Sequence, residues 1–596
     1  MPDRLFADLA AGGGSAEAVA FLERGERARR LLLLRALLDR LDELPTPLSP
    51  PAEAWSALKN AAERAPGAVE RLLLAPATGG WIAHMLRRVH GAATGPPVWA
   101  EAGHLGALAI AACLRAGTET VLRVPLTGGD LYLPGLGTAR LPDTAPGLAV
   151  GRARTSSGEL ALTGPGRCGR PATLTLRLAM AAPRGRGAAP VAAAVGDRQT
   201  LSRWPLPEAG PDDSSGWLPL RSLTHVGPAG AVAITLDDLD PYRDLDDPVA
   251  PARLDGAEAE AWQRLFDEAV AVLGVPGGTG PGRLDPAAIR SVVPWGRTSV
   301  LPPAPATVRM SASSGDSFGA MVIARPSSAL ALAETLVHEF QHSKLASLLH
   351  LFPLIEDDRA ERYYAPWRAD PRHLTGLLHG AYAFTGVAGF WRDRMVHAAH
   401  SEAAEQAGYH FALRRLQCRL VARTLLTCGR LTGQGHALVS GLASTLDTWL
   451  REPVPASALT RARTAATLHR TEWRLRNVAP PAPSNATVPD AAPRFRPDRT
   501  PWPDLSTHAF ATRPAAPLTA DEHLAAGDPA AALAQYADVL AAAPAEPHAL
   551  AGWIVARAAL TPGGTTRRML ARPELLQTLP GRWPPPVGEQ GPATQP

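Results

Sequence analysis

The sequence predicts an α+β protein that is mostly α, with a helical N-terminal region, a β-rich middle section, a long helical section containing HEFQH and a C-terminal helical hairpin. Three observations predict it. Leu and Ala recur three and four residues apart from Ala16 to about Arg115, and helical periodicity resumes from Gly256 to about Arg451. Between these stretches, from Val121 to Leu236, short apolar runs such as VLRVPL, LYLPGLG and LTLRLAM are cut by Gly and Pro, as strands and turns are. The chain's 596 residues also exceed what one compact core holds, so several domains are expected.

In chain order the expected segments are a helical region over 1–120, a β-rich section over 121–250 and a helical section over 251–477. A Pro-rich linker over 478–518, a helical hairpin over 519–575 and a disordered tail over 576–596 follow. The loop of the β-rich section falls near Pro183 to Gly196. The acidic run ITLDDLDPYRD, Ile234 to Asp244, closes that section as a solvated turn, with support of a nearby metal by Asp238 or Asp240 as the alternative. From His523 to Leu560, two antiparallel helices, a Gly-Asp-Pro turn and the start of another helix resemble a tetratricopeptide repeat, with Ala531, Ala532, Tyr536, Pro544 and Leu550 in its usual places. One such repeat cannot bury its own face, so it is expected to pack on the rest of the chain or on a partner.

Composition narrows the function. Hydrophobic residues make up 46% and charged residues 19%, which is ordinary for a globular chain, while 54 Gly and 59 Pro imply many loops. The net charge of +4 is spread along the chain with no basic stripe interleaved with aromatics, which argues against nucleic acid. Leu31 to Leu38 is broken by Arg35 and too short to span a bilayer, so no membrane segment is expected. The N-terminus lacks the basic region and unbroken apolar stretch of a signal peptide, and four cysteines without CxxC spacing suit a reducing cytoplasm.

The chemistry concentrates in Ser327 to Phe352, where a serine N-cap signal opens an apolar helix with no internal Gly or Pro. At about 100° per residue, His338 and His342 stand about one turn apart on one face, so both imidazoles can reach one ion. Glu339 is placed to reach a metal-bound water or to fix an imidazole, while Lys344 falls on the opposite side. The competing reading is two satisfied histidines on a half-buried helix. The metzincin extension fails, because Leu345 and Leu348 replace its Gly and His. Glu361, nineteen residues beyond His342, is a thermolysin-like candidate for a third ligand, although a helix-hostile Tyr-Tyr-Ala-Pro follows it. His379, in the apolar segment LTGLLHGAYAF, is the other.

The runs TLVHEFQHSKL, YYAPWRADPR and GLLHGAYAFTGVAGFW resemble the HExxH-type, α-ketoglutarate-dependent peptide β-hydroxylases that accompany bacterial ribosomally made, modified peptides. The likeness extends more loosely from near Leu131 to about Leu450. It implies an Fe(II) site with α-ketoglutarate and O₂ as cosubstrates, succinate and CO₂ as products, and a hydroxyl placed on a β-carbon, Asp being one target. It also implies His338, His342 and His379 as ligands, with Glu339 or Glu361 the alternative to His379. Arg368 and Arg372 become candidates for the distal carboxylate of the keto acid, since Arg pairs with carboxylates bidentately, against a plain surface pairing with Asp370. Trp367, Tyr382 and Trp391 would shield the site or serve simply as core. The implied partners are a ribosomally made precursor peptide and a radical SAM maturase of the same pathway. The chain departs from the family pattern at Ala369 and His373, where Asp and Pro are expected. Two other classes remain open. One is a zinc metallopeptidase in which Glu339 is the general base, and the other is a non-catalytic peptide-binding or assembly protein acting through its tail.

Overall fold

The computed structural model describes residues 1–167, 169–177, 216–227, 230–245, 247–274, 280–295, 310–357, 359–480, 494–497 and 507–578. Cys168, the loop expected near Pro183 to Gly196, most of the Pro-rich stretch and the last part of the tail lie outside these residues. In chain order, helices α1 (Asp3–Ala10), α2 (Ala16–Leu41), α3 (Pro51–Arg64), α4 (Pro66–Leu74), α5 (Pro76–Val89), α6 (Val98–Ala102) and α7 (His104–Ala116) come first. Strands β1 (Thr120–Thr127), β2 (Asp130–Leu133), β3 (Gly137–Arg140), β4 (Leu148–Ser156), β5 (Glu159–Pro165), β6 (Pro171–Arg177), β7 (Trp217–Pro219), β8 (Arg221–Gly227) and β9 (Gly230–Leu236) follow. Then come α8 (Gly256–Leu273), β10 (Ser291–Pro294), β11 (Ser311–Ala312), β12 (Ala320–Ile323), α9 (Ala329–Leu351), α10 (Leu374–Val396), α11 (Ser401–Thr427), α12 (Gly433–Arg451) and α13 (Ala456–Asn477). The last four helices are α14 (Ala520–Ala526), α15 (Pro529–Ala542), α16 (Pro547–Leu560) and α17 (Gly564–Ala571). The class is therefore mixed α and β, mostly α, with strands concentrated in the middle. Among the described residues no helix is long and apolar enough to cross a membrane. Cys113, Cys418 and Cys428 are free thiols.

The chain divides into two compact units, and the expected 251–477 section contributes to both. One unit comprises Ala16–Gly278 and Leu284–Leu351. Its seven-stranded sheet runs β6-β5-β4-β1-β2-β3-β7, and β1 pairs with β4 in antiparallel register along its full length. Alternate residues of β1 are buried, so one face packs Val124 and Leu126 against Leu108 and neighbouring apolar residues of α7 and α3. Gly128 and Gly129 both take positive φ in the two-residue turn to β2, the combination that suits the hairpin's twist. A second sheet runs β11-β12-β10-β9-β8, with β10 parallel to both neighbours. Its three strands β10, β11 and β12, between α8 and α9, qualify the expectation of a mostly helical section there. At two to four residues each, they are too short to display a period of two.

The acidic run after β9 is also corrected. It is a buried turn, not a solvated one, with Asp237, Asp238 and Asp240 each less than 7% exposed. Asp238 accepts from Arg253 and from the Leu254 amide, while Asp237 and Asp240 cap the backbone of the turn itself. Burial and the neighbouring Asp237 charge push the Asp240 carboxyl up to about 8.

The other unit comprises Met1–Ser15, Thr279–Arg283 and Phe352–Pro596. Helices α10 to α13 form a bundle, and α14 to α17 share a core with α11 and α13 through Leu413, Ala462, Tyr536, Leu540 and Ile554. The Gly-Asp-Pro turn behaves as expected. Gly527 ends α14 in the left-handed region, and the Asp528 side chain caps α15 at Ala531. The ring of Tyr536 lies where a Cβ on Gly552 would stand.

Candidate metal centre

Helix α9 begins as its sequence suggests, with Ser328 accepting from the Ala331 amide. It packs on α2, α8 and the β11–β12 edge. One turn apart on it, His338 and His342 turn their Nε2 atoms to within 3.1 Å of each other, with their rings nearly perpendicular. Two nitrogens bound side by side to one first-row ion at about 2.1 Å stand about 3 Å apart, so the pair matches a shared ion. The same contact is an N–H···N hydrogen bond when one ring carries the proton. Burial drives His342 down to about 4, which leaves its imidazole neutral with a lone pair to donate.

Glu339 is buried, with one carboxylate oxygen 4.0 Å from His338 Nε2. That oxygen accepts from the Ser311 hydroxyl of β11 at 2.6 Å, while the other is buried without a hydrogen bond. Burial raises the Glu339 carboxyl above its usual range, and the Ser311 and Ser313 hydroxyls offset part of the rise. Two imidazoles and one carboxylate within five residues make a donor set that fits a divalent transition ion. Among the described residues no group of three or more His, Cys, Asp or Glu side chains is arranged so that it could hold a metal ion.

Helix α9 is held in place by residues the sequence did not single out. Glu26 of α2, itself buried, accepts from Ser347 and His350 at 2.8 Å each. Burial raises the Glu26 carboxyl, but His350, Ser347 and Arg30 bring it below its usual range. Ser343 accepts from the Gly319 amide ahead of β12. Glu26 looks like any polar position of an amphipathic helix, and 321 residues separate it from Ser347, so no local pattern points to it. Lys344, set aside from the site, is buried on the same helix.

The remaining candidates lie in the other unit. His379 is half-buried on α10, next to Gly380, against which the Trp367 indole rests. Arg368 and Arg372 both bind Asp370, at 2.8 and 3.2 Å, as in the surface pairing that was the alternative for them. Burial raises the Asp370 carboxyl, but the two guanidiniums hold it below its usual range. The loop closes through a two-way backbone bridge between Tyr363 and Arg372. Glu361 is exposed on this irregular segment and not on a second helix. His373 caps α10 and is itself bound by Asp357 at 2.7 Å. Tyr382 donates to the Leu9 carbonyl and Trp391 stacks on His410, so both serve the unit's interior.

Comparison with protein-family models and with curated proteins finds no match.

Proposed function

We propose that this chain is an Fe(II)- and α-ketoglutarate-dependent dioxygenase that hydroxylates a β-carbon, with Asp as one target, in a ribosomally made precursor peptide. The observation supporting it is the 3.1 Å approach of the His338 and His342 Nε2 atoms beside a buried carboxylate, together with the motif likeness. Bound iron would supply the oxidation of the keto acid by O₂ and the transfer of one oxygen to substrate carbon. His338 and His342 would hold it through Nε2, and His379 is the third ligand we favour. Glu339, buried and raised in basicity, orients His338 or takes up a proton beside it. For Arg368 or Arg372 to bind the keto acid's distal carboxylate, one guanidinium exchanges Asp370 for the ligand. A radical SAM maturase belongs to the same proposal as a pathway partner, and the reducing cytoplasm as the compartment.

The test combines anaerobically loaded protein with Fe(II), α-ketoglutarate, O₂ and a precursor peptide. Gain of one oxygen on the peptide with matched succinate release, both lost in His338→Ala, is the expected result. Neither appearing counts against the reading. The unsatisfied buried oxygen of Glu339 favours a second reading, because a general base of a zinc peptidase needs such an acceptor for a metal-bound water. Peptide cleavage with zinc and without keto acid would establish that reading instead.

A further inference from the structure

The five-stranded sheet ends at β11, and that edge lies beside the candidate metal centre. Among the described residues β11 pairs with β12 alone. Met310 accepts from the Ala324 amide, and Ala312 stands opposite Val322 in the same antiparallel register, so Met310 and Ala312 turn their backbone groups toward β12. Backbone direction alternates along a strand, so Ser311 between them turns its N–H and C=O to the open edge. Among the described residues neither group has a hydrogen-bond partner there. The run Ser311-Ala312-Ser313-Ser314-Gly315 carries no charge, proline or bulky side chain, the devices that usually blunt an exposed edge.

The side chains of this edge point toward the histidines. Ser311 donates to Glu339 Oε1 at 2.6 Å, and Ser313, two residues on, also hydrogen-bonds that carboxylate. The same Oε1 stands 4.0 Å from His338 Nε2. Along α9 from Val337 to Ser343, His338 and His342 are half-buried and the other residues buried, so this stretch of helix opens at the histidine pair. Residues opposite each other on an antiparallel pair share a face, with Cβ atoms about 5 Å apart. A residue paired with Ser311 from outside therefore carries its β-carbon on the face that holds Glu339 and His338.

We propose that the peptide substrate docks as an extended strand on the free edge of β11, hydrogen-bonded to the Ser311 backbone, with the residue to be modified paired with Ser311. The inference rests on the reading of His338 and His342 as a centre that acts on a peptide, and it adds how that peptide is held. An extended backbone supplies the acceptor and the donor, side by side, that the two outward groups of Ser311 require. The strands β11 and β12 and helix α9 all belong to one compact unit.

The test is fluorescence anisotropy of the full chain, without keto acid, against a labelled ten-residue peptide of Thr, Ser and Lys around one central Asp. A series of this peptide has its backbone nitrogens methylated one at a time. Saturable binding is expected, weakened about tenfold by methylation at alternate residues and unchanged by methylation at those between. Ser311→Pro, which deletes the outward N–H, should weaken binding about tenfold relative to Ser311→Ala, which deletes the hydroxyl alone. His338→Ala should leave binding unchanged. Melting curves check that the Ser311→Pro protein folds, and the methylation series needs only the native chain. No saturable binding, methylation effects without alternation, or equal binding by the two Ser311 variants would each overturn the proposal. So would a dimer in sedimentation that the peptide does not dissociate. With Fe(II), α-ketoglutarate and O₂, alternating binding of the precursor peptide without oxygen gain leaves the docking standing and removes the hydroxylase reading. Equal oxygen gain by native and Ser311→Pro protein does the reverse.

Discussion

His338 and His342 come together because one helical turn puts the two rings on one face, and their 3.1 Å approach needs no other element. Their substitution should therefore act on metal uptake before it acts on folding. His342→Ala is expected to lose Fe(II) after anaerobic loading, measured by metal analysis, with an unchanged circular dichroism spectrum. Glu339→Gln should keep the metal and lower turnover by at least about tenfold, the usual effect of disturbing a group that orients a ligand. Gly380 is a purely steric case, since a Cβ there would stand 2.3 Å from the Trp367 ring. Gly380→Ala should cost about 1–3 kcal/mol of stability in urea denaturation, the range for an overpacked core.

Helices α9 and α16 each lean on carboxylates from other helices. Removing Glu26 strands Ser347 and His350 of α9, so Glu26→Ala should destabilise by about 1–3 kcal/mol and weaken metal binding in a titration. At the other end of the chain, His548 of α16 lies between Glu472 of α13 at 2.7 Å and Asp521 of α14 at 3.1 Å, while Tyr536 also donates to Asp521. Burial lowers the His548 imidazole, but the hydrogen bonds and charges of Asp521 and Glu472 outweigh it and lift it to about 10. Because the folded value lies above the ordinary value of about 6.5, the stabilisation is complete below that pH and fades as pH rises through about 10. A melting series from pH 6 to pH 11 should show this loss, and His548→Gln should flatten it.

At the scale of the whole molecule, the first fifteen residues belong with the C-terminal unit and not with the helices that follow them. Leu5, Leu9 and Ala10 are buried there, Tyr382 donates to the Leu9 carbonyl, and Gly441 leaves room for Ala10. Deleting residues 1–15 should cost about 3–6 kcal/mol, the value of two buried leucines, and lower the melting temperature accordingly. Chain continuity and compact units differ elsewhere too, since α9 and α10 are neighbours in sequence but belong to different units.

The sequence by itself determined the α9 helix, its serine cap, the shared face of His338 and His342 and the Gly-Asp-Pro turn of the C-terminal hairpin. Each follows from contacts within a few residues, where helical periodicity and capping chemistry act. Only the tertiary structure decided that Glu26 and Ser311 brace the site helix, that the acidic run after β9 is buried, and that Arg368 and Arg372 converge on Asp370. It also decided that three very short strands lie ahead of α9. Burial and long-range hydrogen bonding depend on which distant segments the fold brings into contact, and a local pattern of residue types does not encode that choice.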